Sequence, residues 1–175
     1  MEIDILALGQ SIDKYRDSGN ITIGVNDIFK IHPVNNLVVV DTPSVFNATR
    51  LHTIINSTPN KFYSCSNDWR TMVSNFQHIK LDKFPGCLDG LDDRELVCYS
   101  NNSAFVATVI AYKMKAKRIV LYGVDFTAHH FLSQKEILQT QLKHFSNLHS
   151  KFKEMGVELY VADKRSELSK FIPVV

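Results

Sequence analysis

Short apolar runs rich in β-branched residues alternate with longer segments of helical spacing along this 175-residue chain. In the segment 103–114 the apolar positions recur every three to four residues, which predicts a helix with one apolar face. The segment 133–155 has the same period, and Gly156 follows it where a helix C-cap is expected. The apolar runs predict strands at 3–8, 21–25, 37–41, 61–65, 97–99, 118–122 and 157–161.

The predicted strands indicate the class of fold. Runs such as "NLVVVD" (36–41) and "RIVLYGVD" (118–125) are apolar at successive positions, a pattern typical of parallel strands covered by helices on both faces. Alternating strands and helices then predict an α/β fold with a doubly wound, mostly parallel, Rossmann-like sheet. The chain length fits a single domain over residues 1–175.

The segment 83–95, "KFPGCLDGLDDRE", lacks periodicity and carries Pro-Gly, Asp-Gly and Asp-Asp pairs. These pairs predict an irregular loop. Long loops in compact domains often serve as lids over sites, so the segment is a candidate lid. A plain surface connection is an equal alternative.

Small, hydroxyl, amide and carboxylate residues follow five of the predicted strands. In an open parallel sheet, ligands bind beyond the carboxyl ends of the strands, where main-chain N–H groups and hydroxyls can hold phosphate or ribose oxygens. Each residue also has a structural explanation, such as an N-cap at Ser11. The predicted nucleotide-binding residues are Gly9, Gln10, Ser11, Asn26, Asp41, Ser100, Asn101, Asn102, Ser103 and Gly123.

Three residues at one strand end are candidates for catalysis. Asp125 ends the strand "RIVLY", and His129 and His130 follow it closely. An imidazole titrates near neutral pH, so either histidine can serve as a general base. We predict catalytic roles for His129, His130 and Asp125, and no dedicated metal site.

The charge balance and the cysteines limit the function classes. Twenty Lys and Arg against 18 Asp and Glu give no basic stripe for duplex nucleic acid. Three cysteines without a C-x-x-C pair predict a reducing compartment rather than a disulfide or zinc scaffold. No signal peptide or membrane-spanning run is recognisable, so we expect a cytoplasmic protein. Homo-oligomerisation stays open.

Several ordered motifs resemble the single-domain bacterial sialyltransferases and a broader set of sialyltransferase-like, flagellin-glycosylation-associated Rossmann domains. The resemblance runs across most of the chain, and the region 113–126 is its most specific part. The motifs are "LALGQSI", "IGVND", "LVVVD", "YSNNSAFVATVIAYKMKAKRIVLYGVDF" and "GVELYVADKRSELSKFI".

The resemblance implies a transferase that uses a nucleotide-activated sugar, with cytidine monophosphate-sialic acid as the best-known donor, and a glycan or small-molecule acceptor. It assigns Gly9 and Ser11 to the phosphate turn and Asn26 to the nucleotide or sugar. The segment 100–103 would receive the nucleotide, and Gly123 and Asp125 would line its pocket. No cofactor is firmly implied.

The chain departs from the pattern of that family at four positions. Ala7 and Leu8 stand where the family has Gly and Asn, and Thr127 replaces a phosphate-facing tyrosine. The family's catalytic histidine would fall near Gln139, so His129 or His130 would have to replace it. A standard sialyltransferase is therefore disfavoured, and a different activated donor or a site without activity becomes realistic.

Two alternatives to a glycosyltransferase-like enzyme follow. Archaeal pterin pyrophosphokinases look similar, and in that case Asp41 and Asp125 would hold Mg²⁺ for a nucleotide reaction. The missing amide, tyrosine and histidine motivate the second alternative, a non-catalytic nucleotide-binding or accessory protein.

Overall fold

The computed structural model describes residues 1–127 and 135–175, and within these ranges a seven-stranded parallel sheet forms the centre. The strands are β1 (Glu2–Leu6), β2 (Ile21–Val25), β3 (Asn36–Val38), β4 (Lys61–Ser64), β5 (Phe76–His78), β6 (Lys80–Leu81), β7 (Leu96–Val97), β8 (Arg118–Tyr122) and β9 (Glu158–Val161). The order in the main sheet is β5-β4-β3-β2-β1-β8-β9, and β6 pairs with β7 in a separate parallel ribbon. The predicted α/β fold with a parallel, Rossmann-like sheet is confirmed.

Helices cover both faces of the sheet. They are α1 (Ala48–Ile55), α2 (Ser103–Lys113) and α3 (Lys135–Glu154). Helices α2 and α3 contribute to one apolar core, and α1 packs into a second core on the other face with Phe62 and Trp69. Every residue of α2 from Ser103 to Ala111 is buried, so this helix is enclosed on all sides. No helix of the described ranges is long and apolar enough to cross a membrane.

The sequence prediction differs from the structure at several short elements. The strand predicted at 97–99 is β7, which pairs with β6 in the two-stranded ribbon and is not part of the main sheet. Strand β5 and helix α1 were missed, since each is short and β5 is largely exposed. After Gly9 the chain forms a short 3₁₀ helix, Gln10–Lys14, in which Gly9 and not Ser11 occupies the N-cap position.

The loop 83–95 is fastened to the C-terminal part of α2. The Tyr112 hydroxyl donates a hydrogen bond to Asp92, and Lys113 Nζ donates to the carbonyl of Leu91 at 3.1 Å. Lys113 also donates to the carbonyl of Asp93. The loop therefore lies against the end of α2 that is remote from the helix N-terminus.

A surface network of ion pairs ties the first 3₁₀ turn to the segment after β9. Arg165 Nη2 lies 2.6 Å from Asp13 and 2.8 Å from Asp163. The backbone N–H of Arg165 also donates to Asp163 Oδ1 at 2.8 Å. The side-chain hydrogen bond from Arg165, with this backbone bond, lowers the pKa of Asp163 from 3.8 to about 2.

This network predicts a loss of stability in acid. Because the folded-state pKa of Asp163 is lower than its ordinary value, the unfolded chain takes up the proton first as pH falls. The contribution of Asp163 is thus complete above about pH 4 and disappears as pH falls toward about 2. Thermal melts of the wild type and Asp163→Asn between pH 7 and pH 2.5 should converge at low pH. A difference in melting temperature that is constant over this range would contradict the assignment.

Candidate functional site

A cavity of about 360 Å³ opens at the carboxyl edge of the sheet, where β1 lies between β2 and β8. The chain leaves β1 toward β2 on one side, and β8 occupies the other side, so this is the switch point of the sheet. Its volume is within the usual range for small-molecule sites. The cavity is lined by Ala7, Leu8, Gly9, Gln10, Val25, Asn26, Lys30, Arg50, Asn102, Ser103, Ala104, Gly123, Val124, Asp125, Phe126 and Thr127.

Two glycines let the turns after β1 and β8 touch through their backbones. The N–H of Gly9 donates to the carbonyl of Gly123 at 2.8 Å. A Cβ on Gly123 would lie 2.2 Å from the carbonyl oxygen of Ala7, and a Cβ on Gly9 would lie 2.5 Å from the carbonyl oxygen of Gly123. Gly123 also has φ +70°, which a larger residue rarely adopts. The floor of the cavity is therefore bare backbone.

Ser11 and Asp125 form a buried pair behind this floor. The backbone N–H of Ser11 donates to Asp125 Oδ2 at 2.6 Å, and its hydroxyl donates to Asp125 Oδ1. The N–H of Gly123 donates to the same hydroxyl at 2.9 Å. Ser11 is therefore a link between two turns and not the N-cap that the sequence suggested. Both oxygens of Asp125 accept hydrogen bonds from Ser11, which leaves this carboxylate poorly placed to remove a proton from a substrate.

The N-terminus of α2 faces the cavity beside Asn26. Asn102 is the N-cap, and its side chain accepts a hydrogen bond from the N–H of Phe105 at 3.1 Å. Ser103 and Ala104 line the cavity, and N–H groups in the first turn of a helix have no acceptor within the helix. The Ser103 hydroxyl donates to Asn26 Oδ1 at 3.3 Å, and Asn26 has φ +53°. A helix N-terminus and an amide thus meet at one wall of the cavity.

Two cations stand at the rim, held by one buried carboxylate. Asp27 is 1 % exposed, and Arg50 Nε and Nη2 donate to its Oδ1 at 2.9 and 2.8 Å. Lys30 Nζ lies 3.0 Å from Asp27 Oδ2. Burial by itself would raise the pKa of Asp27, but the hydrogen bonds from Arg50 and Lys30 keep it lower than the ordinary value. We call Asp27, Lys30 and Arg50 the rim triad.

Six of the ten predicted nucleotide-binding residues line the cavity: Gly9, Gln10, Asn26, Asn102, Ser103 and Gly123. Ser11 lies behind the turn, and the buried Ser100 donates its hydroxyl hydrogen bond to Gln141 of α3. Asn101 and Asp41 are exposed and outside the lining. Asp125 does line the cavity, while His129 and His130 lie outside the described residues.

The structure does not bring Asp41 and Asp125 together as a metal site. Asp41 follows β3 and Asp125 follows β8, and two strands separate β3 from β8. Strands lie about 4.8 Å apart, so the two strand ends are about 14 Å from each other. Among the described residues there is no group of three His, Cys, Asp or Glu arranged to hold a metal ion. The loop 83–95 contributes no residue to the cavity lining, and its role as a lid stays a prediction.

Sequence reasoning missed Lys30 and Arg50. Arg50 reaches the cavity from α1, a helix that the sequence prediction did not contain. The signal was available, because Asn47 precedes the helix as an N-cap and accepts a hydrogen bond from the N–H of Arg50. Lys30 lies in a 3₁₀ turn just after Asn26, and only a fold in three dimensions places it beside Arg50.

Comparison with known proteins gives matches in structure alone. Neither a protein-family model nor a curated protein sequence matches the chain. The sialyltransferase CstII from Campylobacter jejuni, solved with the substrate analogue CMP-3FNeuAc, superposes with a TM-score of 0.60 at 13 % identity. The match covers 99 % of this chain and 84 % of that chain.

Two further solved structures match over a similar extent. Sialyltransferase CST-II in complex with a trisaccharide acceptor and CMP has a TM-score of 0.59 at 14 % identity, covering 99 % of this chain and 86 % of that chain. The monofunctional alpha-2,3-sialyltransferase Cst-I from Campylobacter jejuni has a TM-score of 0.58 at 14 % identity, covering 99 % and 79 %. The described fold is therefore that of these sialyltransferases over nearly the whole chain.

Proposed function

We propose that this protein is a glycosyltransferase-like enzyme that binds a nucleotide-activated sugar in the cavity between β1, β2, β8 and α2. The observation that carries the proposal is the cavity itself. Bare backbone at Gly9 and Gly123 meets the N-terminus of α2 at the switch point of the sheet. Whole-chain likeness to sialyltransferases solved with CMP and with a CMP-sugar analogue supports the same reading.

Each wall of the cavity has a chemical task in this proposal. The N–H groups of Ser103 and Ala104 would receive anionic oxygens of the donor, because the helix dipole favours negative charge at that end. Transfer releases a nucleotide phosphate, and fixed N–H donors stabilise the charge that develops there. Asn26 would hold the nucleotide or sugar by its amide. Asp125 acts as a positioning residue through Ser11.

The acceptor hydroxyl must lose a proton during transfer. His129 and His130 follow Thr127, which lines the cavity, and they remain our candidates for the general base. The acceptor would be a glycan or a small molecule with a free hydroxyl. Mg²⁺ enters the proposal only as an optional counter-ion of the donor phosphate.

A donor nucleotide should stabilise the folded protein. A ligand at 100 times its dissociation constant adds about 2.7 kcal/mol to the free energy of unfolding. We expect cytidine monophosphate, or another member of a panel of nucleoside phosphates and nucleotide sugars, to raise the melting temperature. Thermal melts with and without each compound provide the measurement. No shift with any member of the panel would contradict the proposal.

Asn26→Gly tests whether the ligand occupies this cavity. Glycine accepts φ +53° without strain, so the substitution removes the amide and leaves the backbone in place. The matched control is Asn75→Gly, because Asn75 has φ +57° and lies outside the cavity lining. Its side-chain amide donates a hydrogen bond to the carbonyl of Pro59. The ligand-induced shift should shrink in Asn26→Gly and persist in Asn75→Gly. Equal shifts in both variants would remove Asn26 from the site.

One observation favours a second candidate, a nucleotide-binding protein without transfer activity. Ala7, Leu8 and Thr127 all line the cavity, at positions where the resembling family carries donor-facing groups. Apolar or short side chains there leave fewer contacts to the donor. Such a protein would bind the nucleotide sugar and release no nucleotide, with or without an acceptor. Slow hydrolysis of the bound nucleotide sugar decides against this candidate.

A further inference from the structure

The rim triad has one more cation than its buried carboxylate requires. Asp27 is 1 % exposed, and a buried carboxylate needs a partner of opposite charge. One cation neutralises it, and the other leaves the triad with an excess positive charge. Lys30 and Arg50 both line the cavity, with side chains 50 % and 37 % exposed. The excess charge therefore faces the cavity.

Arg50 is held in place before any ligand arrives. Two of its nitrogens donate to the same oxygen of Asp27, and its guanidinium lies 4.9 Å from the centre of the Phe46 ring. Its backbone N–H is fixed by Asn47 at the start of α1. An arginine oriented by a carboxylate and an aromatic face loses little conformational freedom on binding. An isolated surface ion pair would require neither the second hydrogen bond to Asp27 nor the contact with the Phe46 ring. These contacts therefore fix the orientation of the guanidinium.

The other charged group of the cavity, Asp125, is not paired with the triad. Asp125 follows β8 and its oxygens accept hydrogen bonds from Ser11, whereas Lys30 follows β2, on the other side of β1. The rim triad and the N-terminus of α2 are thus two separate electropositive points around one cavity. A ligand that satisfies both carries negative charge at both.

We infer that Asp27, Lys30 and Arg50 form a preorganised subsite for one oxyanion of the ligand, a phosphate or a carboxylate, distinct from the site at the N-terminus of α2. This inference rests on the proposed function, since it concerns the ligand of the same cavity. Asp27 is the positioning residue, and Lys30 and Arg50 make the contacts.

The test measures dissociation constants for cytidine, CMP and CMP-sialic acid, and thermal shifts with inorganic pyrophosphate. The variants are Arg50→Gln, Lys30→Gln and the triple variant Asp27→Asn, Lys30→Gln, Arg50→Gln. The triple variant removes the buried carboxylate together with both cations, so no uncompensated charge is left inside. Lys61→Gln, an exposed lysine at the first residue of β4, is the matched control.

We expect the triple variant to bind CMP or CMP-sialic acid about 10- to 100-fold more weakly, as the loss of charge-assisted hydrogen bonds predicts. Cytidine should bind equally to the wild type and to every variant. A loss already seen with CMP assigns the subsite to the phosphate. If CMP binds the wild type and the triple variant equally, and only CMP-sialic acid binds the variant more weakly, the subsite is assigned to the sugar carboxylate.

Three outcomes would overturn the inference. The first is that the triple variant binds CMP and CMP-sialic acid as tightly as the wild type, in which case the proposed function survives without the subsite. The second is an equal loss in Lys61→Gln, which makes the effect one of net charge. The third is that the wild type binds neither nucleotide nor pyrophosphate. If pyrophosphate stabilises the wild type and not the triple variant, while no member of the nucleotide panel stabilises the wild type, the proposed function fails and the subsite stands.

Discussion

Gly123→Ala is expected to lower the free energy of unfolding by about 3 to 5 kcal/mol, since it combines a left-handed backbone with a steric collision. Gly123 has φ +70°, and its Cβ would lie 2.2 Å from the carbonyl oxygen of Ala7 and 2.7 Å from its carbonyl carbon. Both atoms are backbone atoms of the turn after β1 and have little room to move. Urea denaturation followed by circular dichroism measures the loss.

Gly156→Ala separates the two causes of that loss. Gly156 has the same φ of +70°, but nothing lies within 4 Å of its Cβ position. It should therefore show the backbone cost alone, about 1 kcal/mol. The difference between the two variants is the cost of the collision. Equal losses would mean that the turns after β1 and β8 do not touch as closely as described.

Ser11→Ala is expected to destabilise the protein by about 2 to 4 kcal/mol, because it removes two buried hydrogen bonds at once. The N–H of Gly123 loses its acceptor, and one oxygen of Asp125 loses its donor. Both groups are then buried without a partner. The same turn carries Gly9 and Gln10 into the cavity, so the binding of a nucleotide should weaken together with stability.

Ser57→Ala is the control for this variant. Ser57 is 4 % exposed, and its hydroxyl donates to the carbonyl of Ile54 at the end of α1, so only one hydrogen bond is lost. Asp125→Asn should also destabilise, because the N–H and the hydroxyl of Ser11 lose their ionised acceptor. The double variant Ser11→Ala, Asp125→Asn should lose less than the sum of the two single losses, because both remove the same contacts. Additive losses would argue against a shared network.

Much of the fold was predictable from the sequence, because parallel strands buried on both faces leave a strong apolar signal. The runs at 21–25 and 118–122 coincide with β2 and β8. The two helices with a clear period, α2 and α3, were also predicted to within a residue or two. The separate ribbon of β6 and β7 was not predicted, because strand pairing depends on residues far apart in the chain and a two-residue strand carries no signal for its partner.

The candidate site was predictable where it depends on the ends of strands. Gly9, Asn26 and Gly123 follow β1, β2 and β8, and parallel strands bring their ends to one edge. Whether the other candidate residues reach the cavity depends on the order of the strands in the sheet, which the sequence alone does not reveal. Asp41 follows β3, which is separated from β8 by two strands, and no local pattern gives that distance.

The orientation of the side chains could also not be predicted from the sequence. Ser11 has the residue type and position of a phosphate ligand, yet its hydroxyl points to Asp125. Lys30 and Arg50 are 20 residues apart in the sequence and meet only through Asp27, a carboxylate whose burial no single segment reveals.

The burial of α2 determines which parts of the cavity tolerate substitutions and which do not. Nine consecutive buried residues fix the helix, so its N-terminus cannot tilt to suit a new ligand without disturbing the main core. The rim is built differently, because Leu8, Lys30 and Arg50 lie at least partly in solvent. Substitution of Leu8, or of one of the two cations while the other still pairs with Asp27, alters which ligand fits at a smaller cost in stability than a change in α2. The architecture thus permits descendants with new ligand preferences to evolve at the rim while the helix stays constant.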